Sequence, residues 1–306
     1  MNNMSALFKF NFSPKKEIET AQPTSEKIQK EITLSDETFY LLRNLIYHRS
    51  GMYFPESKKA LLETRVSKRL EELPVSNFEE YAIYIQKEEN QEEIIALLDA
   101  VTINETYFFR ANQQFDAIYK LVIPDIIKNK LDLQKVVRIW SAASSTGEEA
   151  YTLAILILEH LQAKYPDYTF QILASDINTN VLEVAKKGIY KEYSIKNMDP
   201  QYISKYFDIS GSNYILKENV KKMVKFAQIN LYDTDVVRSL KGVDLIICAN
   251  VLIYFDLDSK KKVVSNLYDI LNTNGYLFIG YSESLHGISK AFSLVHLPKA
   301  LAYKKV

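Results

Sequence analysis

The chain has one cysteine in 306 residues, so no internal disulfide framework can staple it. That single Cys248 fits a reducing compartment, and its place inside an apolar run marks it as inert packing. There is no excess of charge of either sign: 38 Lys and Arg stand against 38 Asp and Glu. This argues against a general nucleic-acid binder and leaves room only for a local basic patch. No apolar run approaches the roughly 20 residues of a membrane span. The opening MNNMSALFKFNFSPKKEIET lacks a signal-peptide core and cleavage pattern, so a cytoplasmic protein without membrane insertion is expected. His48, His160, His286 and His296 show no metal-ligand spacing such as H-E-x-x-H, and no metal is expected. GYSES (280–284) lacks the second glycine of a G-x-S-x-G nucleophile elbow and reads as a strand end and loop. What remains is ordinary for a globular protein, 47% hydrophobic and 25% charged, with length enough for two domains. Tyrosine is plentiful at 21 but scattered, as expected of half-buried structural positions.

The organisation changes along the chain. Residues 1–33 are polar and are expected to form a flexible tail. Phe8, Phe10 and Phe12 alternate within it, either as a short docking motif or as a sticky end. Residues 34–106 read as a helical domain. LSDETFYLLRNLIYHRSG offers Ser35 as an N-cap, Glu37 nearby and Gly51 as a stop; ESKKALLETRVSKRLEEL, SNFEEYAIYIQK and NQEEIIALLDAVTI follow. Residues 107–306 read as α/β. The strand candidates KVVRIWS, YTFQILA, MVKFAQI, VDLIICA and GYLFIGY alternate with helices over 148–163, 178–187 and 258–272, which predicts a parallel sheet covered on both faces. AFSLVHL and ALAYKKV, separated only by Pro298 and Lys299, predict a closing antiparallel hairpin. Residues 190–222 interrupt the alternation. They predict an inserted subdomain: a short helix in DPQYISKYF and a small β-hairpin around Gly211.

Ligands of open parallel sheets bind beyond the carboxyl ends of the strands. The first four strand candidates each release a polar residue there: Trp140–Ser141 after the first, Asp176 after the second, Asn230 after the third and Asn250 after the fourth. The first turn, in IWSAASSTGEEAYTLAI (139–155), has Gly147 as its only glycine. The G-x-G-x-x-G grip on a pyrophosphate is therefore absent. Glu148 and Glu149 open the following helix, where carboxylates repel a phosphate and attract an ammonium. Asp176 is placed to accept from two ribose hydroxyls. Together these residues suit a nucleoside with a cationic amino-acid arm, which is S-adenosylmethionine. Each residue has a plainer reading: STGE (145–148) matches a capping box, Asp176 could cap the next helix, and Asn250 could satisfy a turn. INETYFFR (103–110) ends in Arg110 at the domain junction, where a guanidinium could clamp a carboxylate or simply flank a hinge. Lys58, Arg65, Lys68 and Arg69 give one helix a basic face, either solvated or docking an acidic partner.

Five ordered segments, TINETYFFR (102–110), IWSAASSTGEEAYTLAI (139–155), ASDINTNVLEVAKKGIY (174–190), ANVLIYFD (249–256) and GYLFIGYSESL (275–285), together resemble the CheR family over roughly residues 35–304. Its members are S-adenosylmethionine-dependent methyltransferases that esterify glutamates of bacterial chemotaxis receptors. The resemblance implies a helical N-terminal domain, a Rossmann-like methyltransferase domain and a small antiparallel β-subdomain inserted within it. It implies cofactor contacts from Asn104, Thr106, Arg110, Ala142, Glu148, Asp176, Asn230, Leu231, Asn250 and Val251. Glu148 falls on the ammonium side, and Arg110 and Tyr254 at the reacting centre. It also implies S-adenosylhomocysteine as product, and the cytoplasmic helices of methyl-accepting receptors as partners of a monomeric enzyme. Lys58, Arg65, Lys68 and Arg69 become the receptor-facing surface. Ala249 stands where many members carry arginine, and the short turn at DISGSN suits a version that needs no receptor tether peptide. Two other readings remain: a methyltransferase of a different substrate, and a non-catalytic cofactor-binding regulator of a signalling complex.

Overall fold

The computed structural model describes residues 33–130 and 135–306. The expected tail and its Phe8, Phe10 and Phe12 motif lie outside the described residues, Thr33 apart. The helical part opens with α1 (Asp36–Ser50), started by Ser35 Oγ accepting the Thr38 N–H at 3.2 Å and stopped by Gly51 at φ 74°. Only glycine serves at 51, because a Cβ there would lie 2.4 Å from the Tyr232 ring. A 3₁₀ turn (Glu56–Lys58) leads into α2 (Lys59–Leu70). Asn77 caps α3 (Phe78–Tyr84), and α4 (Gln91–Val101) follows. Their apolar faces bury Phe39, Leu42, Leu62, Phe78 and Leu97 completely or nearly so. One carboxylate crosses this core: Glu93, 7% exposed, accepts 2.9 and 2.7 Å bonds from Arg69 and a 2.8 Å bond from the Tyr81 hydroxyl.

Two short helices, α5 (Asn112–Ala117) and α6 (Ile123–Asn129), joined by a π-helical turn over Ile118–Val122, were not anticipated. They lack side-chain caps and are too short for a 3.6-residue pattern to stand out. The α/β alternation then begins with β1 (Val136–Ala142), α7 (Glu148–His160), β2 (Thr169–Asp176) and α8 (Thr179–Lys187). Asn178, not Asp176, caps α8, and Asp99 at the end of α4 also accepts the Thr179 N–H at 2.9 Å. The insertion comprises β3 (Ile189–Tyr190), α9 (Glu192–Ile195), α10 (Pro200–Tyr206), β4 (Phe207–Ser210), β5 (Asn213–Leu216) and α11 (Glu218–Lys221). The expected helix and hairpin are present, and β3 completes a three-stranded antiparallel sheet in the order β3-β5-β4.

The chain returns through β6 (Val224–Gln228), α12 (Thr234–Arg238), β7 (Val243–Cys248), α13 (Leu257–Ile270), β8 (Leu271–Ile279) and the hairpin β9 (Phe292–Leu297)–β10 (Ala300–Lys305). The large sheet runs β6-β2-β1-β7-β8-β10-β9. Its first five strands are parallel and β10 and β9 antiparallel, as the sequence predicted. The order reverses between β1 and β7, so the crevice for a ligand opens at their carboxyl ends. Among the described residues no helix is long and apolar enough to cross a membrane.

Removing Glu93 would leave the Tyr81 hydroxyl and the Arg69 guanidinium without their buried acceptor. Glu93→Ala is expected to cost about 3 kcal/mol. Urea denaturation of the full chain measures this, and a loss under about 0.5 kcal/mol would show that the contact carries no stability.

Candidate active site

A cavity of about 410 Å³ opens where the crevice meets the helical part. This is the size of a small-molecule site. Most of the expected residues converge there. Asn104, Thr106 and Arg110 come from the crossover after α4, Asp176 from the end of β2, Asn230 and Leu231 from the end of β6, and Asn250, Val251 and Tyr254 from the loop after β7. Lys58 lines it from the helical part.

The wall nearest β1 is a strained turn. Ala143, Ser145 and Gly147 have φ of 60, 51 and 92°, so two side-chain-bearing residues sit in the left-handed region. Such residues cost on the order of 1 kcal/mol each. Asp176 holds the turn: one carboxylate oxygen accepts the Ser145 N–H and the other the Asn178 N–H, both at 2.9 Å. Burial pushes the Asp176 carboxyl up, against the pull of these N–H groups. The Ser145 hydroxyl donates 2.9 Å to the Asn104 carbonyl and so ties the turn to the crossover.

Three expectations change. No capping box forms, because α7 begins after Gly147 and no side chain caps it. Glu148 is 1% exposed and does not line the cavity. Its carboxylate accepts from Thr146 Oγ1 at 2.6 Å and from Ser194 Oγ of the insertion at 2.9 Å. Of these two adjacent acids it is Glu149 that lines the cavity, and Ala142 is fully buried and does not line it. Arg65, Lys68 and Arg69 lie away from the cavity, and Arg69 is engaged by Glu93 and Glu72, so the basic face is smaller than the spacing implied.

Among the described residues Glu149 has one hydrogen bond, from Ser141 Oγ at 2.7 Å. Largely enclosed by protein though it touches the cavity, it is pushed up to about 7 by burial; Ser141 and the Arg110 charge pull it down and Glu283 pushes it further up. Arg110 is exposed and donates 2.7 Å to the Glu105 carbonyl, with its guanidinium carbon 5.7 Å from the Tyr107 ring centre. Tyr254 is half-buried, and its hydroxyl is held protonated by burial first, with Glu105 and Glu283 acting in the same sense against Arg110.

Sequence reading missed Glu283, in the stretch taken as a plain loop. Its carboxylate accepts the N–H groups of Gly280 at 2.7 Å, Asn250 at 2.9 Å and Ile253 at 3.3 Å. It thereby fixes the loop in which Asn250 sits at φ 61°. It missed the segment after α1 as well: Tyr53 N–H donates 2.9 Å to the Tyr254 carbonyl, and Met52 bridges Phe255.

The cavity suits a nucleoside with a cationic arm. Asp176 and Glu149 both line it, Glu149 with a single donor among the described residues, and the buried Ser144 hydroxyl on its wall has no partner among them. No glycine-rich phosphate cradle is present, since Gly147 starts α7 with Glu148 and Glu149 behind it. The sheet order, the acid after the second strand and this turn define a methyltransferase of the S-adenosylmethionine-binding class. Residues 104–301 match the CheR methyltransferase SAM-binding domain and residues 37–102 the CheR methyltransferase all-alpha domain. The chain belongs to the CheR methyltransferase family. It is 35% identical over 276 residues to chemotaxis protein methyltransferase 2 of Vibrio cholerae, covering 90% of this chain and 95% of that one. It is 35% identical over 264 residues to the chemotaxis protein methyltransferase of Borreliella burgdorferi, covering 85% and 93%, and 31% identical over 274 residues to that of Salmonella typhimurium, covering 88% and 91%.

The raised Glu149 carboxyl sets a sign for stability. In the folded protein Glu149 keeps its proton up to about pH 7, whereas an unfolded glutamate loses it near its ordinary value. Its contribution is therefore present at low pH and lost as pH rises through about 7. Glu149→Gln is expected to leave stability unchanged near pH 4 and to raise it by roughly 2 kcal/mol at pH 8, read from paired melting curves. A pH-independent difference would show that Glu149 titrates normally.

Proposed function

We propose that this protein transfers a methyl group from S-adenosylmethionine to glutamate side chains of methyl-accepting chemotaxis receptors, working in the cytoplasm on their helices. The observation that carries this is the convergence of Asp176, Glu149 and Arg110 on one cavity. The named chemotaxis methyltransferases it resembles over most of its length support the substrate. When bound, S-adenosylmethionine supplies an electrophilic methyl on a positively charged sulfur.

The chain's own residues divide the remaining work. Asp176 would hold the ribose hydroxyls, and Asn230 and Leu231 would flank the base. Asn230 makes its contribution through backbone and edge, because its side-chain amide already donates 2.6 Å to the Arg49 carbonyl. Glu149, in place of Glu148, would face the α-ammonium, with Asn104, Thr106, Asn250 and Val251 closing the arm. An incoming glutamate is ionised at neutral pH, so no residue has to remove a proton from it. That matches the lining, where none of the four histidines takes part among the described residues. Catalysis is then orientation and electrostatics. Arg110, the guanidinium nearest Glu149 and Tyr254, would align the carboxylate, and Tyr254 would border the reacting atoms. Lys58 at the cavity and Lys68 and Arg65 along α2 would face the acidic receptor surface. We place the boundary between the helical and the methyltransferase domains at residues 106 and 107.

Labelled methyl transferred onto receptor-bearing membranes should be released as methanol by mild base, and base-stable label would overturn ester formation. Arg110→Ala should lower kcat about 100-fold while changing cofactor affinity less than threefold. Equal losses in both would remove the orienting role. Cofactor affinity should rise about fivefold from pH 6 to pH 7 as Glu149 ionises, and Glu149→Gln should abolish the slope.

A further inference from the structure

Arg110 is delivered by a backbone that would not hold its shape alone. Phe109, the residue before it, has φ 58°, a left-handed conformation that a bulky aromatic residue avoids. Such a conformation persists only where neighbours over-determine it. Here the neighbours are specific. The Phe109 N–H donates 3.1 Å to Thr152 Oγ1, and that hydroxyl in turn donates 2.7 Å to the Glu148 carbonyl. The Phe108 N–H donates 2.8 Å to the Ser194 carbonyl, and the Ser194 hydroxyl donates 2.9 Å to the Glu148 carboxylate. The two backbone N–H groups preceding Arg110 thus end, by two routes, on the first turn of α7. Thr152 is fully buried, and Glu148 nearly so. The rings are fixed as well: Phe109 stacks on Tyr202 at 5.4 Å and 12°, and Phe108 meets Tyr190 edge-on at 4.9 Å. Ser194, Tyr190 and Tyr202 all belong to the inserted subdomain.

We infer that Thr152 and Ser194 are positioning residues for methyl transfer: they lock the left-handed kink at Phe109 and so aim the Arg110 guanidinium into the cavity. This rests on the reading of Arg110 as the group that orients the substrate carboxylate. It also gives buried Glu148 a purpose. The acid holds the insertion against α7 rather than meeting the cofactor. The insertion becomes a brace of the active site, whatever it contacts on its outer face.

Thr152→Val keeps the shape but removes the hydroxyl, orphaning the Phe109 N–H. With receptor-bearing membranes as substrate, kcat should fall about 10- to 100-fold while S-adenosylmethionine affinity changes less than threefold. Thr152→Ser, which keeps the hydroxyl, should restore activity to within about twofold. Ser194→Ala, at a half-buried site that tolerates the change, should give a smaller loss of the same kind and serves if Thr152→Val does not fold. The decisive readout is a double-mutant cycle: in an Arg110→Ala background either substitution should cost nothing further. If Arg110→Ala is impaired but the second substitutions multiply its loss, or leave kcat untouched in the parent chain, this inference falls and the reading of Arg110 stands. If Arg110→Ala itself leaves kcat unchanged, both fall.

Discussion

The carboxylate of Asp176 is the contact on which the rest of the site depends. The turn after β1 places Ala143 and Ser145 in left-handed conformations that glycine would adopt at less cost. What keeps them there is the Ser145 N–H on Asp176, the Ser144 N–H on the Ser175 carbonyl at 2.8 Å and the Ser145 hydroxyl on Asn104. The same carboxylate receives the Asn178 N–H, and the Asn178 amide reaches the Asp99 carbonyl at 2.9 Å and the Thr102 hydroxyl at 2.6 Å. The strand end, the first turn, the start of α8 and the crossover from the helical part are therefore one hydrogen-bonded unit. A glycine-rich turn would leave this wall slack. A turn of serines and alanines, tied to β2, is stiff enough to present backbone to a ligand without a phosphate to order it.

Much of this could be read in advance. The parallel strands, their closing hairpin and the inserted subdomain follow from apolar runs, their spacing and one long interruption. The edge carrying the site follows from polar residues at strand ends. The choice between Glu148 and Glu149 did not follow. In α7 every residue from Ala150 to Ile157 is buried, so no polar face betrays the helix phase, and adjacent carboxylates 100° apart cannot be told apart. The basic face of α2 misled for the opposite reason. Arg69 looks like a surface cation in sequence, but it lies against Glu93, whose burial only the packing of α4 determines. Glu283 was invisible because its partners are backbone amides, Gly280 nearby and Asn250 and Ile253 in a loop 33 and 30 residues away, which leave no mark on residue type.

The acids around the site fall into two kinds, and the difference bears on mechanism. Asp99, Glu148, Asp176 and Glu283 each accept from two or more donors and serve to hold backbone in place. Among the described residues Glu149, like the exposed Glu105, accepts a single hydroxyl, but Glu149 is largely enclosed, with Arg110 as its countercharge. A buried carboxylate with so little support is costly unless a cation arrives. Its position below a half-open cavity makes the cost conditional, relieved by a ligand that carries positive charge and restored when it leaves. Arg110 meets the complementary need. With one bond among the described residues, to the Glu105 carbonyl, at the end of a braced but strained backbone, it would keep donors free for the carboxylate of the proposed substrate. The proposed methyl transfer to an ionised carboxylate would ask only for these two charges held at a fixed separation. The tightly satisfied acids are what keep that separation fixed.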